Sequence, residues 1–109
     1  MKKKNRIKKK QEFQKLINTG RKSANHSFVM YLLPKAEEEA RVGITLSRKI
    51  GNAVERNLIK RQVRMMCQDL IDFDHFASDC VLIVRFGYRE HDFESNKNNL
   101  EKLLRKATM

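Results

Sequence analysis

The sequence predicts an α+β domain in which helices cover a single sheet. Three observations predict it. The chain has 109 residues, which suffices for one core and leaves no room for a second. Its apolar residues keep a helical period in three segments and alternate, or run together, in short segments between them. Those segments follow the order helix, two or three strands, helix, strand, helix, and so few short strands do not make an independent sandwich.

Residues 1–10 carry six Lys and one Arg. Residues 1–8 therefore read as a basic arm, which is either a solvated, frayed terminus or a segment that orders on a polyanion. The first helix spans residues 9–19, where Phe13, Leu16 and Ile17 make one apolar stripe, and Gly20 is placed to stop it. Ser23 to Leu33 is extended chain. Asn25-His26-Ser27 divides it into a short first strand and a second from Phe28 to Leu33. Both faces of that second strand are apolar, with Phe28, Met30 and Leu32 on one and Val29, Tyr31 and Leu33 on the other. One face meets the core, so the other is covered or used. Pro34 ends the run, and Arg41 to Ser47 is the next strand. Asn52 is an N-cap with Glu55 three residues on, the pattern of a capping box. The main helix runs from Asn52 to about Asp72, with Ile59, Val63, Met66, Cys67 and Leu70 on its core face. Cys80 to Phe86 is a buried strand, and Asp92 to Ala107 a last helix with Phe93, Leu100, Leu103, Leu104 and Ala107 in its stripe.

Several function classes are excluded early. No apolar stretch approaches the roughly 18–20 residues of a membrane span, and no apolar region follows the basic start as a secretory signal requires. Cys67 and Cys80 lack the spacing of a zinc site and read as two buried thiols. His26, His75 and His91 lie on different elements. Asp72 and Asp74 beside His75 read as an acidic loop at a helix end rather than a metal site. There is no Gly-rich phosphate loop. Neither a catalytic residue nor a metal ligand is predicted.

The charge is segregated. The formal net charge is +11, of which residues 1–64 contribute +13 and residues 65–109 contribute −2. Segregation of this kind suits a face that binds a polyanion, nucleic acid first and an anionic membrane second. At 3.6 residues per turn, Arg56, Lys60 and Arg64 form one stripe of the main helix. Asn57 and Arg61 lie beside it, away from the core, and Arg48 and Lys49 precede the helix start, where free N–H groups attract phosphate. Charged helix faces are usually solvated and held by ion pairs. Here Glu55 is the only acid between Val42 and Gln68, so the cations lack partners, and like charges four apart repel by a few tenths of a kcal/mol.

The segment Lys49-Ile50-Gly51-Asn52-Ala53-Val54-Glu55-Arg56-Asn57-Leu58-Ile59-Lys60-Arg61-Gln62-Val63-Arg64 resembles the signature G-N-A-V-x-R-N-x-x-K-R-x-x-R of the bacterial ribonuclease P protein component. Arg6-Ile7-Lys8-Lys9, Glu12-Phe13-Gln14-Lys15, Ser23-Ala24-Asn25, Phe28-Val29-Met30-Tyr31 and Arg41 to Ser47 extend the resemblance over residues 6–64. The remainder agrees in length and element order.

That resemblance implies the order αβββαβα around a single mixed four-stranded sheet, like the second domain of a small-subunit ribosomal protein, with a left-handed βαβ crossover. It implies one RNA-binding domain over residues 1–109 that pairs in the cytoplasm with a large catalytic RNA, with no protein partner and no membrane. The RNA, with Mg2+ that it mainly binds itself, removes the 5′ leader of precursor tRNA. Arg48, Lys49, Asn52, Arg56, Asn57, Lys60, Arg61 and Arg64 would bind the RNA; Phe13, Ile17 and Tyr31 would line a leader cleft between the first helix and the sheet. Two positions depart from the family pattern: Leu58 stands where a basic residue is usual, and Ile17 where an aromatic is frequent. A structural RNA-binding protein, such as a ribosomal one, shares the charge pattern and is the alternative. A membrane-surface protein is the alternative of a different class.

Overall fold

The computed structural model describes residues 1–107. Helix α1 spans Lys10–Thr19, strands β1, β2 and β3 span Arg21–Ala24, Phe28–Pro34 and Val42–Leu46, helix α2 spans Ala53–Leu70, strand β4 spans Ser78–Val84 and helix α3 spans Phe93–Ala107. The strands form one sheet in the order β1-β2-β4-β3. The β1–β2 and β2–β4 pairs are antiparallel, and β3–β4 is parallel. The sheet is therefore mixed, and β3-α2-β4 is a βαβ unit.

Local chemistry explains the boundaries. The Asn25 side-chain oxygen accepts hydrogen bonds from the N–H groups of Ser27 and Phe28, both at 3.1 Å, and this Asx turn separates β1 from β2. At the start of α2, Asn52 accepts from the Glu55 N–H at 2.9 Å while the Glu55 carboxylate accepts from the Asn52 N–H at 3.1 Å. The expected capping box is complete. Gly20 closes α1 as expected, but with φ −75° rather than in the left-handed region. Crowding explains the residue better, since a Cβ there would meet the carbonyl oxygens of Leu16 and Leu32.

Strand β4 differs from its expected span, beginning two residues earlier and ending two earlier. Its ladder to β2 starts at Ser78 opposite Pro34 and ends at Val84 opposite Phe28. Phe86 instead opens a 3-10 turn, Phe86–Glu90. Asp79, which looks like a boundary residue, is buried inside the strand. Its carboxylate accepts from the Arg41 N–H at 3.0 Å, from the Arg41 guanidinium at 3.1 Å and from the Ala36 N–H at 3.3 Å, and a carboxylate satisfied in this way tolerates burial.

The two faces of the sheet are covered unequally. One face carries Phe28, Met30, Leu32, Val42, Cys80, Leu82 and Val84 into the main core, where Ile59, Val63, Met66 and Cys67 of α2 and Leu100, Leu103 and Leu104 of α3 meet them. Burying each large side chain contributes roughly 1.5–3 kcal/mol. The other face carries Val81 into a smaller cluster with Ile7 and Leu16, flanked by half-buried Phe13, Ile17, Tyr31, Leu33 and Ile83. The second apolar face of β2 is thus covered in part, by α1. Cys67 and Cys80 are free thiols in the main core. Burial pushes the Cys67 thiol up to about 12 and Cys80 well above its ordinary value.

The N-terminal residues dock against the edge of β3. Ile7 donates its N–H to the Val42 carbonyl at 3.0 Å, and Arg6 makes a parallel bridge with Val42. The Asn5 amide reaches the Ala40 carbonyl at 3.0 Å and the Glu39 carboxylate at 3.3 Å, and Lys4 pairs with Glu39.

Candidate nucleic-acid interface

Helix α2 turns its apolar side to the sheet and its cations to one flank. Arg56, Lys60 and Arg64 are half-buried along that flank, with Asn57 and Arg61 exposed beside them. Arg48 and Lys49 are exposed in a 3-10 turn, Arg48–Ile50, capped by the Ser47 hydroxyl. Among the described residues none of these six cations makes an ion pair. Glu55, the acid in the first turn of α2, is engaged elsewhere: besides the capping box it accepts from the Arg89 guanidinium at 2.9 Å. Asn52 is similarly committed, its oxygen serving as the cap.

A groove of about 660 Å³ runs along this flank, lined by Asn57, Lys60, Arg61, Arg64, Met65, Gln68 and Asp69 of α2 and by Met1 and Arg6 of the N-terminal segment. Asp69 binds Lys97 at 3.1 Å. Burial, then the charge of Arg6, lowers the Arg64 guanidinium below its ordinary value. The structure thus gathers four of the eight expected residues, Asn57, Lys60, Arg61 and Arg64, at one groove. Arg56, Asn52, Arg48 and Lys49 lie toward the helix start, outside its lining. Arg6 is the member that the charge pattern did not single out. The signal that could have found it is Ile7, an apolar residue set among lysines: docking Ile7 onto the sheet fixes Arg6, and alternation along extended chain sends the two side chains to opposite faces.

Leu58 is 51% exposed and Val54 78%, so Leu58 at the departing position has no part in the core. It presents an apolar surface beside the cationic flank.

On the other face of the sheet, Phe13, Ile17 and Tyr31 come together around Val81. Gly43 makes this arrangement possible: a Cβ there would lie 2.7 Å from two ring atoms of Phe13. Tyr31 sits between Lys22 of β1 and Val81 of β4 in the ladder. The next row on the same face holds Val29, Ile83 and Thr45, all half-buried. The result is a partly covered apolar and aromatic surface that α1 flanks.

No helix among the described residues is long and apolar enough to cross a membrane. The facing ring nitrogens of His26 and His91 are 2.8 Å apart, and His75 meets the Asp72 carboxylate at 2.7 Å.

The family model Ribonuclease P matches residues 1–108. A ribonuclease P protein component of Bacillus cereus strain 03BB102 is 43% identical, the alignment covering 100% of this chain and 96% of that protein. One from Bacillus velezensis is 42% identical over 100% of this chain and 94% of its own. The RNase P protein of Staphylococcus aureus superposes with a TM-score of 0.82 at 36% identity, covering 94% of each chain. The RNase P protein from Thermotoga maritima superposes with a TM-score of 0.78 at 27% identity, covering 93% of this chain and 96% of its own.

Proposed function

The chain belongs to the ribonuclease P protein family, and from that premise we propose that it serves as the protein subunit that binds the catalytic RNA and the 5′ leader of precursor tRNA during tRNA 5′ maturation. The observation that carries this reading is the unpaired cationic flank of α2. A helix side that holds Arg56, Lys60, Arg61 and Arg64 without internal carboxylate partners repels itself until phosphates arrive. Contacts of that kind position the RNA without reading its sequence. Asn57 adds hydrogen bonding, and Arg48 and Lys49 extend the field past the helix start.

The leader lies on the opposite face in this reading, over Phe13, Ile17 and Tyr31. Base–aromatic stacking is worth about 1–3 kcal/mol per base and tolerates any sequence, which suits a subunit that meets many leaders. With Ile17 in place of an aromatic, stacking rests on Phe13 and Tyr31.

Chemistry is assigned to the RNA. The two thiols are buried, and the histidines are tied up in pairs. In this reading Mg2+ is bound mainly by the RNA, which suits the cationic face that the protein offers to it. The protein's contribution is electrostatic, by neutralising phosphate charge that otherwise has to be offset by salt and Mg2+. A cytoplasmic place of action follows from the partners.

Reconstitution tests the proposal. Purified protein mixed with its cognate catalytic RNA is expected to release the leader from precursor tRNA at low Mg2+ faster than RNA alone. No gain over RNA alone would overturn it. A membrane-surface role predicts instead strong binding to vesicles of anionic lipid.

A further inference from the structure

We propose that Arg6 and Arg64 clamp one backbone phosphate of the catalytic RNA between the N-terminal segment and α2, so that RNA binding fastens this segment to the helix. The inference rests on the RNA-binding reading of α2 and adds a residue and a geometry to it.

Arg6 is held in place from both sides. Asn5 is buried and bonded to the Ala40 carbonyl at 3.0 Å, and Ile7 is buried and bonded to the Val42 carbonyl at 3.0 Å. Between these anchors the Arg6 backbone is fixed; its side chain lines the groove whose other wall is Lys60, Arg61 and Arg64, and it also borders a second groove that holds Glu12 and Glu39. Among the described residues its guanidinium has one hydrogen-bond partner, the Met1 carbonyl, which accepts from Nη2 at 3.2 Å. Its Nε is buried with no hydrogen-bond partner among the described residues. Neither Arg6 nor Arg64 has an ion pair there. Arg41 at the β3 edge shares the buried Nε without a partner but differs in charge balance, because it sits between the carboxylates of Glu12, at 2.6 Å, and Asp79, at 3.1 Å.

Two partly buried guanidiniums face one groove whose acid, Asp69, is taken by Lys97 at 3.1 Å, and their mutual repulsion costs free energy in the free protein. A phosphodiester between them removes that cost and accepts charge-assisted bonds from both. The apolar stems of Met1 and Met65 at the same groove suit the sugar side of the strand.

The test is RNA binding across a salt series with Arg6→Met, which keeps an apolar stem, and Arg6→Gln, which keeps a donor for the Met1 carbonyl. Thermal unfolding without RNA controls for packing. Affinity is expected to fall roughly tenfold, as for a lost bond to a charged group, and the salt slope to flatten by about one. The melting temperature should hold or rise. Combined with Arg64→Met, the loss should be smaller than the product of the two single losses, because both arginines serve one phosphate. An unchanged slope in whichever variant folds, or losses that multiply fully, would overturn the clamp. If the Arg56, Lys60 and Arg64 variants also leave the slope unchanged, the failure belongs to the RNA-binding reading of α2 and not to Arg6 alone.

Discussion

Gly43 decides what Phe13 can do. The ring occupies the space that a β-carbon would need, so Gly43→Ala pushes Phe13 off the sheet without touching α2. The expected outcome is weaker binding of precursor tRNA and a stability loss of about 1 kcal/mol from overpacking, with a smaller loss for the catalytic RNA because the new methyl also comes within 3.2 Å of Ile7, beside Arg6. Phe13→Ala should have the same selectivity, lowering affinity for precursor more than for mature tRNA. Equal losses for both tRNAs would move the leader elsewhere. The thiols allow a second residue-scale prediction. Burial holds both cysteines protonated, so a thiol reagent at pH 8 should leave the native protein unlabelled and label Cys67 and Cys80 in denaturant. The stripe of Phe13, Leu16 and Ile17 was legible from spacing alone. The contact of Phe13 with Gly43 was not, because it joins residues distant in sequence and depends on an atom that glycine lacks.

At the scale of elements, α2 is the best-specified part of the chain and its start is the most exposed to test. Asn52→Ala removes the side-chain acceptor for the Glu55 N–H and should cost about 1 kcal/mol. That corresponds to a fall of about 4–8 °C in melting temperature for a domain of this size. Helix α3 carries a pH signature. Asp92 accepts from the Ser95 N–H at 2.8 Å, and this bond holds its carboxyl below the ordinary value of 3.8. A depressed folded-state value stabilises the fold above the unfolded value, and the gain is lost as pH falls through the folded one. Acid unfolding below about pH 4 should therefore be shallower for Asp92→Asn, which keeps an acceptor but has no charge to lose. Helix boundaries were readable to within two residues because caps and apolar periodicity agree. Strand β4 was not, because Asp79 looks like a breaker until Arg41 is known to lie beside it. The docking of residues 5–7 depends in the same way on the free edge of β3, which no local pattern announces.

For the whole molecule, one sheet separates two surfaces of different chemistry. The cationic groove lies on the α2 side, and the aromatic surface on the α1 side, with the N-terminal segment passing between them at the β3 edge. The segregation of charge into residues 1–64 was visible in composition, and it pointed to a polyanion, nucleic acid ahead of an anionic membrane, before any fold was considered. What composition could not supply was the division of labour among those cations. Arg41 is consumed internally by Glu12 and Asp79 and Lys4 by Glu39, whereas the α2 cations make no ion pair among the described residues. Salt dependence of RNA binding measures that division most directly, since each neutralised phosphate releases counterions. Replacing Arg56, Lys60 and Arg64 together by Ala should leave the unfolding transition in place, weaken binding of the catalytic RNA and flatten the slope of log affinity against log salt by up to about three. A slope equal to that of the unaltered protein would contradict the account.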